Sequence, residues 1–245
     1  MARPFDRRTF RQAYDRWIVG GRFGEVPEYY PRYRSRYETT FEKLASVADP
    51  APGRVLDIGG GQHALLAMKL WGDHGTVADI SEDNLGYVRE EGVQAARWDL
   101  SRDDPHFAES DAFDMIFFCE VIEHLPIAGY VALQRLRRCL KPGGLLICTT
   151  PNFYRWRNVF YVATGRPIFD NFRQPGEGPH GHLIEYDEPR LRYQLERAGF
   201  REVEIEKHAY HHSPTEPINR VLYWAGYPLT LIPRFREALV AVARA

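Results

Sequence analysis

The chain has 245 residues, 44% hydrophobic and 27% charged. That is ordinary globular usage and excludes a disordered or fibrous chain; at about 150 residues per domain it fits one large domain with additions, or at most two. Lys+Arg of 32 against Asp+Glu of 33 leaves a net charge of -1, with no global pull toward nucleic acid. Cys119, Cys139 and Cys148 form neither a disulfide framework nor a CxxC zinc pair. The N-terminus lacks the apolar core of a signal peptide, and the uncharged run Val221–Pro233 is too short for the ~20 residues of a spanning helix. The expectation is a soluble, cytoplasmic protein, with VLYWAGYPLTLIPRFR able to lie on a membrane surface and Arg234 and Arg236 at the headgroups.

Residues 1–52 are predicted to form a helical lid, because Tyr30, Tyr33, Tyr37, Phe41 and Leu44 step by three and four along one helix face. Pro50 and Pro52 then punctuate, and a second unit runs over 53–245. RVLDIGGG is a strand breaking into a glycine turn, HALLAMKLW a helix, GTVADIS a strand, EDNLGYVREE a helix and VQAARWDL a third strand. FDMIFFCEVIEHL supplies a fourth strand with its exit loop. GYVALQRLRRCL is an amphipathic helix stopped by KPGG, and LLICTTPN is a fifth strand. EYDEPRLRYQLERAGF is the next helix, REVEIEKHAY a sixth strand, and REALVAVARA a seventh that closes the sheet edge. Alternation of this kind predicts an α/β fold with a doubly wound, Rossmann-like, mostly parallel seven-stranded sheet. Two insertions, about 152–182 and 211–235, are rich in aromatics and are expected to cover the substrate, the first of them as a long irregular segment. Tyr154, Trp156, Phe172, Tyr223 and Trp224 are among their aromatics.

Glycines at a strand-to-helix turn let a ligand approach the backbone and expose amides at a helix N-terminus. Gly59, Gly60 and Gly61 make such a turn, and Gly59-x-Gly61-x-x-Ala64 also fits a dinucleotide pattern. Asp57, two residues before the turn, would repel a pyrophosphate and suit a cationic ammonium. Asp79 ends the second strand and can accept both hydroxyls of a ribose. Asp99 follows the third strand and can accept from an adenine amino group while Leu100 packs on the ring. Three acids at three successive strand ends therefore match an amino-acid ammonium, a ribose and an adenine.

With these residues in order, the chain resembles the class I S-adenosylmethionine-dependent methyltransferases. VLDIGGG, the acid of VADIS, the acid of RWDL, FDMIFFCEVIEHL and LKPGGLLICTTPN carry the resemblance, which spans roughly 54–152 and continues more weakly through HLIEYDEPRLRYQLERAGF. It implies S-adenosylmethionine as cofactor, with Asp57, Gly59 and Gly61 on its methionine part, Asp79 at the ribose, Asp99 and Leu100 at the adenine, Ile80 also binding the cofactor, and Cys119 close by. His63 departs from the family pattern, where many members carry a third glycine.

Methyl transfer from a sulfonium needs an acceptor atom held in line, and a hydroxyl acceptor is helped by a base. His124, after the fourth strand, and His182, with His180 beside it in PHGHLIEY, are the candidate catalytic groups. The main reading is a methyltransferase, most readily at oxygen, for a small-molecule or glycan- or lipid-linked acceptor, with no nucleic-acid partner and no metal. Glu120, Glu123, His124 and His182 also carry the ligand types of a divalent site. They are similar to the metal-binding pattern of small-RNA 3′-terminal 2′-O-methyltransferases, so a metal-dependent RNA enzyme is the alternative. EVIEHL equally resembles metal-free small-molecule methyltransferases. A non-catalytic scaffold that keeps the cofactor fold is a further alternative, and Asp57 argues against a nicotinamide dehydrogenase.

Overall fold

The computed structural model describes residues 3–81, 85–102, 111–169, 181–210 and 226–245. A helix α1 (Arg7–Tyr14), capped by Asp6, which accepts from the Thr9 amide, runs through a π-helical turn, Asp15–Val19, and is followed by α2 (Tyr29–Val47). The alternating body comprises β1 (Arg54–Ile58), α3 (Gln62–Trp71), β2 (His74–Asp79), α4 (Leu85–Glu90), β3 (Gln94–Arg97), β4 (Phe113–Cys119), α5 (Gly129–Cys139) and β5 (Leu140–Pro151). It is completed by α6 (Trp156–Ala163), α7 (Glu188–Arg197), β6 (Arg201–His208) and β7 (Ala238–Arg244).

The seven strands form one sheet in the order β3-β2-β1-β4-β5-β7-β6. β1 to β5 pair in parallel, and β7 runs antiparallel between β5 and β6. The predicted doubly wound sheet is therefore the observed one. Its topological switch lies between β1 and β4, the place where open α/β sheets hold ligands at the carboxyl ends of their strands. Asp79 at the end of β2 is in register with Arg97, and Cys119 at the end of β4 with Thr149.

β4 shows why its sequence is apolar without alternation: both faces are covered. Ile116 and Phe118 join a cluster with Leu133, Leu136, Leu191 and Leu195 of α5 and α7. Met115 and Phe117 join the opposite cluster, with Leu65 and Leu66 of α3 and with Phe10, Tyr14, Phe41 and Leu44 of the N-terminal helices. The tyrosine-rich N-terminal segment thus shares its core with the sheet, and truncating the buried Phe41 would cost about 3–5 kcal/mol.

Two local expectations are corrected. The 152–182 segment is not wholly irregular: WRNVFYVA has neither Gly nor Pro and folds as α6. KPGG lies within β5, where Gly143 takes φ +76 and the pairing with β4 shifts between Phe113 and Met115. The 211–235 insertion is described only from 226, where short 3-10 turns cover Tyr227–Leu231 and Pro233–Phe235. Phe172, His180, Tyr223 and Trp224 lie outside the described residues. Among the described residues, no helix is long and apolar enough to cross a membrane.

Candidate active site

The glycine turn leaves β1 with Gly59 at φ +113 and Gly61 at φ +83, values that L side chains rarely adopt. A Cβ on Gly61 would also sit 3.2 Å from Val77 and Val88. Asp57 is buried, and its Oδ2 accepts the amides of His63 (2.8 Å) and Ala64 (3.1 Å). It is therefore the side-chain cap of α3 at a position where Gly61 offers none. Its Oδ1 lies 3.6 Å from Nδ1 of His63. The His63 ring is held among Tyr37, Phe41 and Phe117. The residue that departs from the family pattern thus fastens the turn to α2.

Asp79 accepts the Ser81 amide through Oδ1 at 2.8 Å, and burial, with Asp57 nearby, raises its carboxyl above the usual range. Ile80, just past the end of β2, stays 48% exposed. Asp99 accepts the Ser101 amide and hydroxyl through Oδ1 and pairs with Arg102 at 3.0 Å. Leu100 is buried in the core with Trp98, so it has less surface to offer a ligand than Ile80. Cys119 is half-buried at the junction between this half and the next.

The second half lies beyond β4. Glu120 takes φ +56, an uncommon conformation of the kind found at functional sites. Its Oε1 accepts from the Thr149 hydroxyl at 2.9 Å, and its Oε2 pairs with Arg36 of α2 at 3.1 Å. Glu123, in the 3-10 turn Ile122–His124, is 1% exposed. Its Oε2 accepts from the Thr150 hydroxyl at 3.0 Å, while its Oε1 has no hydrogen-bond partner. Burial, reinforced by Glu120, pushes the Glu123 carboxyl well above its usual range.

The carbonyl of Glu123 accepts from the amides of Leu183 and Ile184, which brings the 181–186 segment across the sheet edge. His124 and His182 meet there edge to face, ring centroids 5.0 Å apart. Nδ1 of His124 donates to the Gly181 carbonyl (3.2 Å), and Nδ1 of His182 bonds to Glu185 (2.9 Å). Glu185 is itself held by a buried two-point pair with Arg155, at 2.7 and 2.8 Å. Asn152 ties the two insertions together, its amide donating to the carbonyls of Arg234 and Arg236.

Glu120, Glu123, His124, His182, Arg36 and Arg155 border a cavity of about 480 Å³ whose walls also include Tyr29, Tyr33, Trp156, Phe160 and Tyr161. His124 and His182, chosen from sequence, line it together. Arg36, Glu185, Thr149 and Thr150, and the pairing of Arg155 with Glu185, were not found by sequence reasoning, since no local motif marks side chains that act on partners dozens of residues away.

A model of the methyltransferase domain family matches residues 29–205. The chain belongs to this family. Its fold is the one that solved SAM-dependent methyltransferases share. The chain is 34% identical over 151 residues to a ubiquinone biosynthesis O-methyltransferase of Roseobacter denitrificans, covering 56% of this chain and 58% of that protein. It is 32% identical over 133 residues to a trans-aconitate 2-methyltransferase of Acidovorax sp., covering 51% and 49%. The matches thus span only about half the length of these relatives. Among solved structures, a SAM-dependent methyltransferase from Archaeoglobus fulgidus superposes with a TM-score of 0.56 at 21% identity, covering 98% of this chain and 100% of that one. A phosphoethanolamine N-methyltransferase of Haemonchus contortus in complex with S-adenosyl-L-methionine gives 0.59 at 18% identity, covering 95% and 56%. These two share the fold.

Proposed function

We propose that the chain is an S-adenosylmethionine-dependent methyltransferase that transfers a methyl group to an oxygen atom of a small organic or glycan- or lipid-linked acceptor. The observation that carries the reading is the His124–His182 pair at the wall of a 480 Å³ aromatic-lined cavity on the carboxyl edge of β4 and β5. That volume suits a small ligand. Both relatives named above act in small-molecule chemistry by their names, and one is an O-methyltransferase.

The donor half fits S-adenosylmethionine: a turn needing glycine, a carboxylate at the end of β2 and an exposed isoleucine beside it. Gly59 and Gly61 would admit the methionine part, with Asp57 fixing the amides of α3. Asp79 would accept from the ribose, with Ile80 on the base, and Asp99 and Leu100 would border the adenine. When bound, this donor supplies an electrophilic methyl on a positively charged sulfur. The protein holds the acceptor oxygen in line with it, which is where most of the rate arises. His124 and His182 labilise the hydroxyl proton, and Arg155–Glu185 holds His182 in place. Leu229, Leu231 and Ile232 are exposed on turns packed against α6, whose Val159 and Val162 are exposed too, and would let the acceptor side rest on a lipid surface.

The test is calorimetry with S-adenosylhomocysteine, followed by a screen of hydroxyl and amine acceptors read as S-adenosylhomocysteine release. Methylation found only on amine acceptors would overturn the oxygen assignment.

A further inference from the structure

We infer that Glu123, His124 and His182 form a binding site for one divalent first-row cation in the acceptor cavity. Each offers a ligand atom, and these atoms lie within 4.8 Å of one another. Around a single cation bonded at 2.0–2.2 Å, neighbouring ligand atoms sit about 3–3.5 Å apart. Glu123 Oε1 and His124 Nε2 are 3.9 Å apart, so a small side-chain rotation closes the set.

Three further features point to a ligand there. Glu123 Oε1 is a buried oxygen with no hydrogen-bond partner, on a residue only 1% exposed, and leaving a buried acceptor unsatisfied is costly. Both imidazoles have Nδ1 engaged by oxygen, His124 with a backbone carbonyl and His182 with a carboxylate, which turns Nε2 toward the cluster; metal-bound histidines are braced in this manner. Glu123 is braced too, by the Thr150 hydroxyl on its other oxygen. Two imidazoles and one carboxylate suit a borderline cation such as Mn²⁺, Co²⁺ or Zn²⁺ better than Mg²⁺ or Ca²⁺, which prefer all-oxygen sets.

The cation's place in catalysis rests on the O-methylation proposed above; its binding does not. Three protein ligands leave positions open toward the cavity. An acceptor hydroxyl on such a position would lose its proton to solvent at lower pH. Its oxygen lone pair then forms the new bond to the methyl carbon, while the carbon–sulfur pair returns to sulfur. The two histidines would thus act through the cation.

Chelator-treated protein titrated with Co²⁺ is expected to develop a visible d–d absorption saturating at one cation per chain. His182→Ala should weaken Co²⁺ binding at least tenfold, and Glu185→Gln, which removes only the brace, about 10- to 100-fold. Glu123→Gln is a third variant, and His182→Ala, at a half-buried position, covers the case in which it fails to fold. Absence of the band, or a band unchanged in the His182 and Glu123 variants, overturns the site. A band with turnover unaffected by chelator overturns the catalytic role alone. Calorimetry with S-adenosylhomocysteine on the same samples reads the donor half separately, so loss of that binding with cobalt binding intact would strike the methyltransferase reading and leave the cation site standing.

Discussion

The two halves of the site are held by different kinds of contact. On the donor side, Asp57, Asp79 and Asp99 each find their backbone partners within seven residues of themselves. On the acceptor side, Glu120 is fixed by Thr149 and Arg36, Glu123 by Thr150, His124 by Gly181, and His182 through Glu185 by Arg155, partners 27 or more residues apart except within the 182–185 turn. A locally closed half can be built by one short motif. A half closed by long-range pairs can change its occupant by changing either partner, which is how one fold comes to serve many acceptors.

The largest expected effect falls on the acceptor half. His124→Ala should lower kcat by about 10²–10⁴-fold, the range for losing a proton-handling group, with S-adenosylhomocysteine affinity unchanged by calorimetry. A parallel loss of donor affinity would mean that the halves are not separable. Next is Arg155→Ala, which leaves Glu185 charged and buried beside His182. Breaking such a pair costs about 3–5 kcal/mol. At about 2–4 °C per kcal/mol for a chain of this size, the thermal midpoint should fall by about 6–20 °C. If scanning calorimetry shows no drop, the pair is not what anchors the 181–186 segment.

The same contrast explains what the sequence disclosed. The sheet was legible because each strand and helix carries its own period and punctuation, and the strand-end acids because their spacing from the glycine turn is fixed by the βα unit. Asp57's actual partners were not: an acid before a glycine turn can face a ligand or the helix amides, and only the left-handed Gly61, unable to cap α3, decides for the amides. α6 was hidden because aromatic and arginine content masked a run free of helix breakers. Arg155 and Glu185 were invisible as a pair because, 30 residues apart, they meet only when Phe153 and Tyr186 are joined at the edge of the sheet.

A smaller effect is expected on the donor side. Asp79→Ala removes one charged acceptor, a loss of about 1.5–3 kcal/mol, so S-adenosylhomocysteine should bind about 10- to 150-fold more weakly. Co²⁺ binding, read on the same variant, should not move. If donor affinity survives, the carboxylate at the end of β2 does not meet the ribose, and the placement of the nucleoside must shift toward Ile80 and Asp99.

The smallest effect sharpens the comparison at its one exception, because His63 is a donor-side residue held from afar, by Tyr37 and Phe41 of α2. Burial pulls its imidazole down, but Cys119 and Asp57 overcome that, and its pKa is pushed up to about 10. In the unfolded chain the same imidazole titrates near its ordinary value of about 6.5. The folded state therefore holds the proton more tightly, and the stabilisation is complete below about pH 6.5, declines above it and is lost once the pH passes about 10. Thermal midpoints of the native protein and of His63→Gln, which keeps a polar side chain but does not titrate, should differ most at pH 6 and converge toward pH 10. A gap that widened with rising pH would mean that His63 is buried neutral, leaving Asp57 uncompensated beside the glycine turn and open to a cationic ammonium.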